Sequence, residues 1–138
     1  MQLVLHSKAV PLAAMAFGAM LPLSLAPFDL WPFGLVACAG LYWLWETYPR
    51  RTTSLGWWFG VGKYGVGASW VYVSIHDYGN ASVPLALGLV ALFVAGMALF
   101  SLTQGWAFGR LRQDRRSPSL ANLLLFAMIW VLWEWLLT

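Results

Sequence analysis

From Val83 to Phe108 the chain runs without a single Asp, Glu, Lys or Arg, and four other stretches are almost as apolar. Runs this long exceed a core strand or an ordinary core helix, because roughly 20 apolar residues suffice to cross the ~30 Å hydrocarbon layer of a membrane. Spans are predicted at about Ala9–Leu25, Trp31–Tyr48, Leu55–Ile75, Val83–Phe108 and Ser119–Leu137. None alternates strictly enough for a strand, and in lipid a helix satisfies every backbone group within one segment. The predicted fold class is all-α membrane: one transmembrane domain over residues 1–138, a bundle of about five helices. The first two make a short hairpin over a Pro-rich turn, the fourth is long enough to tilt, and no soluble domain or repeat is visible.

Composition supports lipid as the solvent. Hydrophobic residues make up 61% and charged residues 9%, against about 25% charged in soluble domains. A domain of this size exposes much of its surface, so water would meet too many apolar side chains. Ten Trp and five Tyr suit the membrane–water boundary, where amphipathic rings collect. The net charge of +3 is explained by loop placement and calls for no nucleic-acid partner. Lys8 before an apolar run has the look of a signal peptide, but the apolar segments that follow make it a retained first span.

Loop charges set the orientation. Lys8 precedes span one, Arg50 and Arg51 follow span two, and Arg110, Arg112, Arg115 and Arg116 follow span four. The loops around Asp29 and around His76-Asp77 have no Lys or Arg. The positive-inside rule therefore puts the N-terminus in the cytoplasm and Thr138 outside. The arginine cluster reads as a topology signal, with anionic head groups as a second possible role. Pro118 stands where the last helix would start.

Lys63 is the outlier. It lies about eight residues into the predicted third span, roughly 12 Å from the inner edge. A lysine at such depth costs around 2.5–3.5 kcal/mol on insertion scales. Gly56, Gly60, Gly67 and Trp70 share its helical face, and small residues admit a neighbouring helix, so Lys63 is expected to face protein. Its candidate partners are Glu46, nearer in expected depth but within reach of Arg50 at i+4, and Glu134. A structural pair or snorkelling lysine, a grip on a lipid head group and a direct chemical role all stay open. The glycines at 56, 60, 62, 65 and 67 lack the Gly-Lys-Ser/Thr of a phosphate loop and read as close helix packing.

The remaining polar positions have simple readings. Ser74 and His76 stand two apart, where helical side chains diverge, so they do not form a nucleophile–base pair. His76 with Asp77 reads as an interfacial cap or loop anchor. Asp29 is expected to cap the second helix, with Pro32 in its first turn. Cys38, the single cysteine, sits mid-span among small residues and reads as packing. No Cys/His spacing suggests a metal.

Three stretches carry a resemblance. Trp70-Val71-Tyr72-Val73-Ser74-Ile75-His76-Asp77, with Ala26-Pro27-Phe28-Asp29-Leu30-Trp31-Pro32 and more loosely Trp130–Leu136, resembles the N-terminal membrane part of bacterial apolipoprotein N-acyltransferases. The resemblance implies transfer of an acyl chain from phospholipid to the N-terminal amine of diacylglyceryl-cysteine lipoproteins, in the bacterial inner membrane and without a cofactor. It places the chemistry on a Cys assisted by Glu and Lys, in an outer nitrilase-like domain following the helices. No catalytic residue is therefore expected within these 138 residues, Cys38 included, and the piece alone is expected to be inactive. Its implied role is to anchor that domain and shape an entrance for phospholipid and lipoprotein, lined by Trp70, Tyr72, Ser74, His76 and Asp77. Lys63, where relatives favour an apolar residue, and Leu137, where an Arg often follows, depart from the pattern. The rival reading is a small multispan transporter or channel with Lys63, Glu46 and Glu134 as an ion relay, although no inverted repeat is visible. A purely structural membrane partner is a third.

Overall fold

The computed structural model describes residues 8–25, 28–113 and 119–138. Among them every regular element is helical: α1 Ala9–Leu23, α2 Trp31–Thr47, α3 Thr52–Gly67, α4 Ser69–Val73, a π-helical turn Ser74–Tyr78, α5 Val83–Leu111 and α6 Leu120–Leu137. α5 and α6 are long and apolar enough to cross a membrane, and α1 is a shorter apolar helix.

Each boundary has a local cause. Ser24 closes α1 by donating its hydroxyl to the Leu21 carbonyl at 2.6 Å, just after Pro22. The expected cap on α2 is not formed. Asp29 takes a left-handed backbone, φ 51°, and leaves Leu30 at the cap position without a side-chain bond. Asp tolerates that conformation better than most residues, so it serves the turn, where its N–H donates to Leu25 O at 3.2 Å. Ser119 does cap α6, accepting from the Asn122 N–H at 3.2 Å. Pro118, Arg115 and Arg116, and the expectations attached to them, lie outside the described residues.

The predicted third span is not one helix. A tight turn at Tyr48–Arg51, closed by Arg51 N donating to Tyr48 O at 2.9 Å, starts α3 at Thr52 rather than Leu55. At the other end α3 stops at Gly67, after Gly65 and Gly67 have weakened it by about 1 kcal/mol each relative to alanine. Ala68 leaves the helical region, at φ −93° and ψ 10°, before α4 and the π turn continue the chain.

α3 is the centre of the bundle, because two helices touch its backbone. A Cβ placed on Gly62 would lie 2.0 Å from the Met15 carbonyl oxygen of α1, and one on Gly18 of α1 would lie 2.0 Å from the Phe59 carbonyl oxygen. On the α5 side, a Cβ on Gly56 would meet Ser101 O at 2.4 Å, and one on Gly105 would meet Thr52 O at 2.3 Å. The stripe expected beside Lys63 is therefore shared out: Gly56 and Gly60 take α5, Gly67 faces Pro22 of α1, and Trp70 lies beyond the helix end. α6 joins through aromatic side chains. Trp45 of α2 stacks on Phe108 at 5.0 Å, Phe126 meets both rings edge-on, and Phe59 meets Trp130 at 6.0 Å.

Backbone contact makes α3 intolerant of volume. Gly18→Ala and Gly62→Ala are each expected to lower stability by about 1–3 kcal/mol through overpacking. Gly65→Ala, with nothing within 4 Å of the added carbon, is expected to leave it unchanged or raise it by up to about 1 kcal/mol. Thermal unfolding of the four proteins in detergent micelles checks the order.

Candidate functional site

Two polar centres lie at opposite ends of α6. Near its C-terminal end Lys63 Nζ of α3 donates to Glu134 Oε1. The ammonium also sits 5.6 Å from the centre of the Trp130 ring and 5.2 Å from that of Tyr64, distances at which a ring face attracts a cation. The Lys63 side chain is 17% exposed and that of Glu134 44%, so the cation is the more enclosed of the two. Beside the pair opens a groove of about 520 Å³ between α1, α2 and α6, lined by Leu21, Leu25, Trp31, Cys38 and Trp130. Cys38 thus faces a groove, half-buried, rather than only small neighbours.

Glu46 is not the partner of Lys63. Starting α3 at Thr52 sets Lys63 nearly a turn further from the Arg50–Arg51 end, where Glu46 lies. Nor does Arg50 serve Glu46 at i+4, because α2 stops at Thr47. Glu46 Oε2 instead pairs with Arg112 at 3.6 Å, with both side chains under a tenth exposed. Its Oε1 accepts from Asn122 Nδ2 at 3.1 Å. Asn122 also accepts from Gln113 N at 2.9 Å and donates to Gln113 O at 3.1 Å, so one amide ties α2, α6 and the end of α5 together. Asn122 and Arg112 were missed as partners by sequence reasoning. A lone amide in the apolar run Leu120–Trp133 was the available signal, since a buried amide needs partners. The three groups of the rival relay do not share a path: Lys63 joins Glu134, and Glu46 belongs to the other end.

The residues expected at the outer mouth come together only in part. Tyr72 stacks on His76 with ring centres 5.5 Å apart and planes 22° from parallel. His76 Nδ1 lies 2.9 Å from Ala81 O, which anchors the loop into α5. Ser74 Oγ donates to the Trp70 carbonyl at 3.1 Å, a bond back to α4 and not one to His76. Trp70 is 67% exposed, and Asp77 is exposed. α4 and the π turn lean on α5, whereas the Lys63 groove opens on the α1, α2 and α6 side.

Among the described residues the architecture is all-helical, with two helices long and apolar enough to cross a membrane and exposed apolar faces, Leu92, Met128 and Val131 among them, which fits a helical membrane protein. The particular family follows from comparison. Residues 17–138 match the pattern described as "Apolipoprotein N-acyltransferase N-terminal domain". Proteins named apolipoprotein N-acyltransferase are similar over most of this chain: one from Pseudomonas paraeruginosa (strain DSM 24068 / PA7) is 46% identical over 92% of it, and one from Coxiella burnetii (strain RSA 493 / Nine Mile phase I) is 46% identical over 89%. The chain belongs to the apolipoprotein N-acyltransferase family. It spans about a quarter of the length of these curated relatives, 26% and 25% respectively.

The two polar centres respond differently to truncation. Glu134→Leu strands a mostly buried ammonium and is expected to cost about 2 kcal/mol, the buried-pair penalty reduced for Glu134's exposure. Lys63→Met leaves a carboxylate that water can reach and is expected to cost less than about 1 kcal/mol. The double variant is expected to recover most of the Glu134→Leu loss, which a double-mutant cycle of unfolding free energies measures. Asn122→Ala, at 1% exposure, orphans several groups and is expected to cost about 3 kcal/mol; its unfolding midpoint checks this.

Proposed function

We propose that this chain is the membrane-embedded N-terminal part of an enzyme that moves an acyl chain from a phospholipid to the N-terminal amine of a diacylglyceryl-cysteine lipoprotein. The observation that carries the reading is the family match over residues 17–138. Five helices cross the bilayer of the bacterial inner membrane, with α1, α2 and α3 tilted or locally thinning it because they are short. The end bearing Arg50, Arg51, Arg110 and Arg112 lies in the cytoplasm. Antiparallel packing of α3 on α5 supports this, since Thr52 faces Gly105 and Gly109 at that same end. Thr138 and the mouth at Trp70–Asp77 are then on the outer side.

At that mouth the chain's contribution is shape and polarity. Trp70, exposed beyond the end of α3, suits the head-group layer. The Tyr72–His76 stack, tied to Ala81, holds the π turn as a rigid rim, and π-helical turns concentrate at functional positions. Asp77, exposed, and the free edge of the Tyr72–His76 stack face an arriving head group, Ser74 is committed to the Trp70 carbonyl, and no covalent step is assigned to any of them.

A chimera in which residues 1–138 replace the matched N-terminal stretch of the Pseudomonas paraeruginosa relative tests the reading. It is expected to acylate a diacylated lipopeptide. His76→Ala, which loosens the rim, is expected to raise KM for the phospholipid several-fold, on the order of the 1 kcal/mol of one hydrogen bond, with kcat little changed. A chimera that inserts and folds but transfers no acyl chain overturns the proposal.

A further inference from the structure

The Lys63–Glu134 groove is lined from α1, α2, α3 and α6, whereas α4 and the π turn lean on α5, and the acyl-transfer reading gives the groove no task. Its chemistry is nonetheless selective. An ammonium offers three N–H donors, and among the described residues Lys63 gives a hydrogen bond to Glu134 alone, with two ring faces as its other neighbours. Donor capacity is thus left over on a cation that is only 17% exposed, beside a groove of about 520 Å³ with apolar walls. That volume is typical of a small-molecule site with few polar anchors. The two charges also differ in enclosure, the cation being 17% and the carboxylate 44% exposed.

We infer that this groove is a binding site for a zwitterionic phospholipid, whose phosphate takes the spare donors of Lys63 while its outer ammonium group meets Glu134. In such a lipid the phosphate and the ammonium group are adjacent opposite charges, as Lys63 and Glu134 are. One acyl chain then runs along Leu21, Leu35 and Trp130, which line the groove. Binding also removes the penalty of an under-bonded ammonium in an apolar wall. The inference rests on the chain's lying in a membrane and not on acyl transfer.

The test uses the full chain in lipid nanodiscs and photoactivatable lipids with a diazirine at the end of one acyl chain. Three probes with identical chains are compared: phosphatidylcholine, phosphatidylglycerol and diacylglycerol. Labelled peptides are mapped by mass spectrometry. Phosphatidylcholine is expected to label the groove about tenfold more than diacylglycerol, the ratio expected for hydrogen bonds to a charged group, and more than phosphatidylglycerol. Lys63→Met is expected to abolish the advantage over diacylglycerol, and Lys63→Arg to keep it. Glu134→Gln is expected to narrow the gap between the two phospholipids. The outer face of α6 at Leu124, Met128 and Leu132, which is exposed, serves as the internal control and is expected to label alike throughout. Groove labelling that ignores the head group, or survives Lys63→Met unchanged, overturns the inference. Equal labelling by the two phospholipids overturns the role of Glu134. Failure of the α6 face to label overturns the membrane reading itself, which separates the two.

Discussion

Everything in this bundle depends on α3 being thin enough to lie between two helices at backbone contact. Glycines on both of its sides make that possible, Gly62 against α1 and Gly56 and Gly60 against α5. In lipid the hydrophobic effect gives no reason for apolar helices to associate, so close packing and interhelical polar contacts must supply it. The same glycines that permit the contact also weaken α3, and the helix fails at Gly67 where the neighbours no longer enclose it. Close packing and the broken outer end have one origin.

α6 is held by different means. It meets the rest of the bundle through rings, a hydrogen bond from Trp133 Nε1 to Thr103 Oγ1 of α5 at 3.1 Å, and a polar centre at each end. The Asn122 tie is deep and fully bonded, and it fixes the helix to α2 and α5 where Glu46 and Arg112 already pair. The Lys63 tie is half-open to its surroundings and leaves donors over. Burial and bonds to three elements suit the first centre to a structural role, and the spare donors beside an open groove suit the second to a ligand.

Much of this was legible in the sequence. The helical class and the family followed from apolar run length, loop residues and the Trp70–Asp77 segment, while the third predicted span proved to be α3, α4 and a π turn. Lys63 stood out because a charge in an apolar run must find a partner. Its choice between Glu46 and Glu134 was not legible, because it turned on a shift in the start of α3 that the Tyr48–Arg51 turn alone determines. The Asp29 cap failed for a similar reason: Asp is equally suited to a cap and to a left-handed turn, and only the chain path between α1 and α2 selects one. The division of the glycine stripe between two partners was hidden too, since a helical projection gives faces but not neighbours.

The π turn brings these points together at the outer end. After Gly67 the chain must travel to the start of α5 without leaving its polar backbone groups bare at a lipid boundary. The wider turn lets Gly79 N reach Ser74 O at 3.1 Å, and Ser74 and His76 spend their polar atoms on Trp70 O and Ala81 O. Those bonds explain why a Ser and a His so close together have no base–nucleophile geometry: both are committed to the backbone. What is left uncommitted on that rim is the Trp70 ring, the Asp77 carboxylate and the edge of the Tyr72–His76 stack. That is a surface fit for guiding an amphiphile.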